Sequence, residues 1–143
     1  MAPFLIIGQS RFSPGTYGVF YTADAFIVAV RESSYHAARY LRAAGFADPI
    51  IVPRYELQLT LDDSDHLDIR SGGADTAQAF GARARASGRQ GIWYDSVRSP
   101  GGTCYATFKP AAVRSVKGTA RELELVWDGN AITEYRELKT HTL

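Results

Sequence analysis

Tyr17-Gly18-Val19-Phe20-Tyr21-Thr22-Ala23-Asp24-Ala25-Phe26-Ile27-Val28-Ala29-Val30-Arg31-Glu32 reads as a strand running directly into a helix, and that pairing decides the fold class. Tyr17 to Tyr21 is rich in aromatic and β-branched residues and follows a Ser13-Pro14-Gly15 turn, as a strand does. Thr22 or Asp24 stands where a helix cap is expected, and the helix runs to about Ala44 before Gly45 stops it. Along it Ile27, Val30, Ala37, Leu41 and Ala44 recur at steps of three and four, which predicts one core-facing stripe. Glu32 falls nearly opposite that stripe, beside Val28 and Ala29 and one turn before His36. Its face is half apolar and half polar, as the wall of a cleft is.

Outward from this unit, Tyr55-Glu56-Leu57-Gln58-Leu59-Thr60-Leu61 alternates cleanly and predicts a strand, with Pro53 before it marking an edge or a strand start. Asp62-Asp63-Ser64-Asp65 is an acidic turn. Ala74 to Ser87 predicts a second helix, with Ala77, Phe80, Gly81 and Ala84 on one face and Gly88 after it. Further strands are expected at Gly91 to Tyr94, Cys104 to Phe108, Leu123 to Trp127 and Ile132 to Tyr135, the last two joined by an Asp128-Gly129 turn. Two main helices among strands that do not alternate with them give an α+β class with a mixed or antiparallel sheet.

The 143 residues are expected to form one domain, with its core at about Ser10 to Ile132. A hydrophobic fraction of 45% and a charged fraction of 22% are those of an ordinary globular chain. A net charge of +1 argues against direct nucleic-acid binding as the main business. Cys104 is the single cysteine and His36, His66 and His141 are scattered, so neither a disulfide framework nor a metal site is expected. The apolar run Pro3 to Ile7 is too short for a signal peptide or a membrane span, so a cytoplasmic location is expected.

Candidate chemistry rests on few residues. Arg11, in Ser10-Arg11-Phe12, reads from the residue alone as a solvated surface arginine, and its planar fork also suits phosphate or carboxylate oxygens. Tyr21 is either a sheet tyrosine or a ring that stacks on a base and offers a hydroxyl to a ribose. Glu32, between Val28-Ala29-Val30 and Tyr35, is either paired on the helix surface with His36 or Arg39, or stationed at a ribosyl C–N bond. There a carboxylate favours a developing oxocarbenium ion. Ser96 in Gly91-Ile92-Trp93-Tyr94-Asp95-Ser96-Val97-Arg98 is a turn serine or a donor to substrate, with His36 and Arg98 as accessories. That run has neither the lysine and spacing of a phosphate-binding loop nor the glycines of a nucleophile elbow.

Ser10-Arg11-Phe12, Gly18-Val19-Phe20-Tyr21, Arg31-Glu32-Ser33-Ser34-Tyr35-His36, Gly91 to Arg98, Gly101-Gly102-Thr103-Cys104 through Phe108-Lys109-Pro110 and Leu125-Val126-Trp127-Asp128-Gly129 resemble successive blocks of the RES domain. The resemblance implies an ADP-ribosyltransferase-like fold and a bacterial toxin of a type II toxin–antitoxin module. It implies partnership with an Xre-type helix-turn-helix antitoxin, in a toxin–antitoxin complex or a homo-oligomer. The implied activity is depletion of NAD by cleavage at the nicotinamide–ribose bond, with phosphate or water as acceptor (an NAD phosphorylase or glycohydrolase). NAD is then substrate, inorganic phosphate a co-substrate, and no cofactor or metal is needed. Arg11 matches the arginine expected on the dinucleotide phosphates, Tyr21 the tyrosine at the nicotinamide end, Glu32 the carboxylate at the ribose and Ser96 the serine of the third block. Family members usually carry a further arginine well upstream of the block at Ser10, and the nine residues before that block contain no basic one. Two alternatives follow: ADP-ribosyl transfer to a protein or nucleotide acceptor, and a catalytically impaired RES-fold binding protein.

Overall fold

The computed structural model describes residues 9–70 and 76–143; the apolar run Pro3 to Ile7 and the expected helix start at Ala74 lie outside them. The described chain is α+β. A four-stranded sheet has the order β3-β7-β6-β5, from β3 (Phe20–Ala23), β5 (His66–Asp68), β6 (Gly91–Asp95) and β7 (Thr103–Thr107). Only its β5–β6 pairing is parallel; β3–β7 and β6–β7 are antiparallel. A three-stranded antiparallel sheet has the order β4-β8-β9, from β4 (Ile50–Leu61), β8 (Val113–Trp127) and β9 (Ile132–Leu138). β1 (Gln9–Ser10) and β2 (Ser13–Pro14) form a small hairpin, and the helices are α1 (Phe26–Ala43) and α2 (Ala77–Ala86).

Helix α1 carries the architecture because it packs on two sides. Val28 enters a cluster with Phe12, Ile92, Tyr94 and Cys104 of the hairpin and four-stranded sheet. Val30 and Ala37 meet Leu123 and Leu125, and Ala38 and Leu41 meet Trp127, all from the three-stranded sheet. The single expected stripe is therefore too narrow. Val28 and Ala38 are buried, while Ile27 is 40% exposed and Ala44 is exposed. An apolar arc this wide suits a helix wedged between layers rather than lying on one. Burying Leu125 and Trp127 completely contributes on the order of 2 kcal/mol or more per side chain.

Several boundaries differ from expectation, each for a local reason. Ser10 pairs with Ser13, so Arg11 and Phe12 form the hairpin turn and Ser13-Pro14 is strand. The ladder of β3 starts at Phe20, and Tyr17 is a buried core residue before it. Neither Thr22 nor Asp24 caps α1: Ala25 holds the N-cap position without a side-chain bond. Asp24 is consumed by β7, its N–H donating to the Thr103 carbonyl at 3.0 Å and its carboxylate accepting from the Thr103 N–H at 3.3 Å. Thr76 does cap α2, accepting from the Ala79 N–H at 3.2 Å. β4 begins five residues before the alternating run and contains Pro53, which an edge strand tolerates. Asp128 closes the β8–β9 turn by accepting from the Asn130 and Ala131 N–H groups, both at 2.7 Å, with Gly129 at φ 101°.

His66 is buried at the start of β5, its Nε2 3.0 Å from the Thr107 hydroxyl and its Nδ1 without a partner. Burial holds its pKa below the ordinary 6.5, against a smaller opposing pull from Asp63, Asp65 and Asp62. The folded state keeps the ring neutral while the unfolded chain takes up a proton near pH 6.5. Stability from this group is thus complete above that pH and falls as the pH drops through the window below it. Urea midpoints measured from about pH 7 to about pH 5 should fall with acidification, and His66→Asn should flatten the dependence.

Candidate active site

A cavity of about 860 Å³ opens between the β1–β2 hairpin, β3, α1 and the β6–β7 loop, and Arg11, Tyr21 and Glu32 all line it. Arg11 reaches it from the hairpin turn. Phe12 beside it is completely buried, its ring 4.8 Å from that of Tyr94, so the turn is anchored by its own second residue. The Tyr17 hydroxyl donates to the Phe12 carbonyl at 2.6 Å, and Gln78 Nε2 donates to the Ser10 and Ser13 carbonyls at 3.3 and 3.4 Å. Gly81 of α2 lets the Phe12 carbonyl come close, since a Cβ there would collide with it. The Arg11 guanidinium then lies over the Tyr94 and Phe12 rings, 4.9 and 5.3 Å from their centroids. Cation–π contact fixes its direction while leaving its N–H fork for a ligand.

Tyr21 is 38% exposed and presents its ring to the cavity. Its hydroxyl donates to Ser10 Oγ at 2.8 Å and accepts the Phe12 N–H at 3.3 Å. The tyrosine thus ties β3 to the hairpin, and its ring is what remains available.

Glu32 is the most constrained of the four. Its Oε1 accepts from Ser96 Oγ at 2.6 Å, the short distance of a charge-assisted O–H···O bond. Oε2 stands 3.8 Å from Nε2 of His36, whose side chain is 64% exposed. Ser96 is buried and is not itself part of the cavity wall. Its one proton goes to Glu32, and its lone pair accepts the Ser99 N–H at 3.0 Å. Ser96 thus stands behind the cavity wall, joined to it through Glu32. The loop that carries it is closed by Ser96 N–H to the Gly102 carbonyl at 2.9 Å and Gly102 N–H to the Ser99 carbonyl at 2.8 Å. Arg31 Nη1 donates to Ser99 Oγ at 3.0 Å, fastening the loop to α1. Arg98 reaches the cavity with its guanidinium 3.4 Å above the Tyr35 ring.

Sequence reading missed Tyr94 and Cys104 as wall residues. They are cross-strand partners on β6 and β7, and the face they share points at α1. Period-two alternation pairs Tyr94 with Ile92 against Trp93, but which set meets the helix depends on how the sheet docks, and no local signal carries that. Burial pushes the Tyr94 phenol far above its ordinary value. Burial also pushes the Cys104 thiol up to about 11, with the Glu32 charge adding to the rise. Both groups hold their protons at neutral pH, so Cys104 offers no thiolate nucleophile there.

A family model described as RES domain matches residues 2–128. This chain belongs to the RES domain family. No curated protein matches it closely enough to refine that assignment. The RES family is associated with toxin–antitoxin systems and with activity on NAD, and it implies an antitoxin as partner. Among the described residues of this RES domain no helix is long and apolar enough to cross a membrane.

The match covers every cavity residue named above, whereas β9 lies beyond it. Arg11 is not alone among the cations at the cavity. Arg39 and Arg98 line it as well.

Removing the Ser96 hydroxyl strands two partners, the Glu32 carboxylate and the Ser99 N–H. Ser96→Ala should lower unfolding free energy by about 1–3 kcal/mol in urea titrations, with the fold intact by circular dichroism.

Proposed function

We propose that this RES domain is the toxin of a toxin–antitoxin module and depletes NAD by breaking its nicotinamide–ribose bond. The observation that carries the reading is a half-buried carboxylate, Glu32, held by Ser96 at 2.6 Å on the wall of a cavity that also presents Arg11, Arg39 and Arg98 together with Tyr21, Tyr35 and Tyr94.

NAD needs three things from such a site. Arg11, with Arg39 or Arg98, offers guanidinium forks to the pyrophosphate oxygens. The Tyr21 ring offers a stacking surface for the nicotinamide. Glu32 offers negative charge to the ribose as its C1′ becomes cationic. The C1′–N bond breaks with its electron pair passing to the pyridinium nitrogen, so nicotinamide leaves neutral. An oxygen of inorganic phosphate or water then bonds to C1′; for water, a proton is released to solvent. No cofactor enters this chemistry, because departure of a cationic ring as a neutral one requires no external electrophile.

Ser96 acts here as a positioning residue. By holding Oε1 it keeps the carboxylate from rotating toward His36, so the charge is in place before the bond breaks. A phosphate acceptor makes the enzyme an NAD phosphorylase, and water makes it a glycohydrolase. An Xre-type antitoxin is the neutralising partner in this reading, in the cytoplasm where NAD is found.

Purified protein incubated with NAD, with and without phosphate, should release nicotinamide, and product analysis identifies the acceptor. Glu32→Gln should retain the fold and slow NAD loss at least about a hundredfold, on the order of 3 kcal/mol. Undiminished turnover in the folded variant would assign Glu32 a structural role. ADP-ribose appearing only on an added macromolecule would replace this reading by transferase activity. A folded wild-type protein that binds NAD without consuming it would replace it by the binding-protein alternative.

A further inference from the structure

A second cleft, about 500 Å³, shares Tyr35 and Arg98 with the Glu32 cavity. Arg31, Arg42 and Arg98 line it, and Glu134 is the one carboxylate among its lining residues. None of these three guanidiniums is ion-paired among the described residues. Arg31 donates to the Ser99 hydroxyl, Arg42 Nε donates to the Asn130 carbonyl at 3.0 Å, and Arg98 covers Tyr35. Elsewhere in the domain arginines do find carboxylates: Arg70 with Asp68, Arg89 with Asp65, Arg114 with Asp62 and Arg121 with Glu56. Cations gathered at a cleft and left without counter-charge suit an anionic occupant.

The opposite wall says what shape the occupant has. It consists of Ala131 and the first four residues of β9, Ile132 to Tyr135, in unbroken succession. Side chains alternate across a strand, so consecutive residues share one cleft only where it runs along the strand's edge. β9 ends the order β4-β8-β9, and among the described residues its outer N–H and C=O groups have no ladder partner. Arg31 and Arg42 are eleven positions apart on α1, about 16 Å along its axis, which is beyond the span of a single phosphate. The same distance is covered by about five residues of extended chain.

We propose that this cleft receives an extended acidic segment of a partner protein, which adds to β9 as a further strand and sets carboxylates against Arg31, Arg42 and Arg98. Backbone pairing supplies affinity with little demand on sequence, the arginines select acidic side chains, and Ile27 and Ile132 offer an apolar wall to alternate residues. Because Tyr35 and Arg98 also line the Glu32 cavity, an occupant here presses on the wall of that site. Binding requires no turnover of NAD, so its failure is readable separately from a failure of NAD cleavage.

The probe is a synthetic peptide of alternating glutamate and valine, titrated into isotopically labelled protein and followed by amide chemical shifts. Shifts are expected at Ile132 to Tyr135 and along Arg31 to Arg42, with affinity falling as salt is raised. Binding should weaken about tenfold or more for a glutamine-for-glutamate peptide, for a backbone N-methylated peptide and for the Arg31→Gln/Arg42→Gln protein. Should that double variant fail to fold, Ser34→Glu places a competing carboxylate in the cleft and should produce the same loss. Equal binding of the glutamine peptide, equal shifts with inorganic phosphate, shifts confined to the Glu32 cavity, or no shift at all would each overturn the proposal.

Discussion

The hydrogen bond from Ser96 to Glu32 joins the two parts of the chain that make the cavity. It links α1 to the β6–β7 loop across sixty-four residues of sequence. One serine proton satisfies a half-buried carboxylate, and the same oxygen anchors the loop through Ser99. Everything on that side of the molecule is arranged around this contact: Val28 one turn before Glu32 is buried against the four-stranded sheet, and Gly102 is without a side chain where Val28 comes close. A carboxylate at this depth without a donor would cost more than the packing around it returns. The polar and apolar parts of the helix face therefore depend on one another.

The arginines divide the protein's surface into two kinds of place. Some are neutralised by carboxylates close by, as at Arg114 and Asp62, where hydrogen bonds from Ser64 and Arg114 hold the aspartate far below its usual range. Others lie over rings: Arg11 over Tyr94, Arg98 over Tyr35, Arg85 over Tyr17 and Arg70 over Trp93, the last also paired with Asp68. A ring orients a guanidinium without consuming its charge or all of its donors. A chain with a net charge of only +1 can in this way keep concentrated positive potential at chosen clefts. The three arginines Arg83, Arg85 and Arg89 at the end of α2 and just after it do not make such a place, since Arg83 and Arg85 cover Phe80 and Tyr17 and Arg89 meets Asp65.

Much of the fold was legible because its elements carry strong periodicity. The alternation of Tyr55 to Leu61, the stripe of Phe80, Gly81 and Ala84, and the Asp128-Gly129 turn all correspond to local physics that operates wherever the segment sits. The parts that were not legible depend on distant partners. β5 is three residues long and exists through its pairing with β6, and β8 extends back to Val113 because β4 lies alongside it, bulges included. The second buried face of α1 needs the three-stranded sheet to be visible. At the site, Arg11, Tyr21 and Glu32 stood out as polar or aromatic residues in telling settings. The engagement of the Ser96 proton by Glu32 and of the Tyr21 hydroxyl by Ser10 could not be read from one dimension, because each competes with a substrate contact of the same chemistry.

The packing of α1 on both sides has a consequence for the order in which the protein can be made. Every residue that lines the Glu32 cavity lies between Ser10 and Cys104, so all of them leave the ribosome before β8 does. At that stage Val30, Ala37 and Leu41 have nothing to cover them, since Leu123, Leu125 and Trp127 are still to be synthesised. A nascent chain therefore holds a complete set of cavity residues on a helix whose rear is wet. The pairing of β4 with β8 closes a loop of about fifty residues between Leu61 and Val113, a non-local step of the kind that is slow. The cavity on the front of the helix thus shares its supporting element with a back that only the later strands cover.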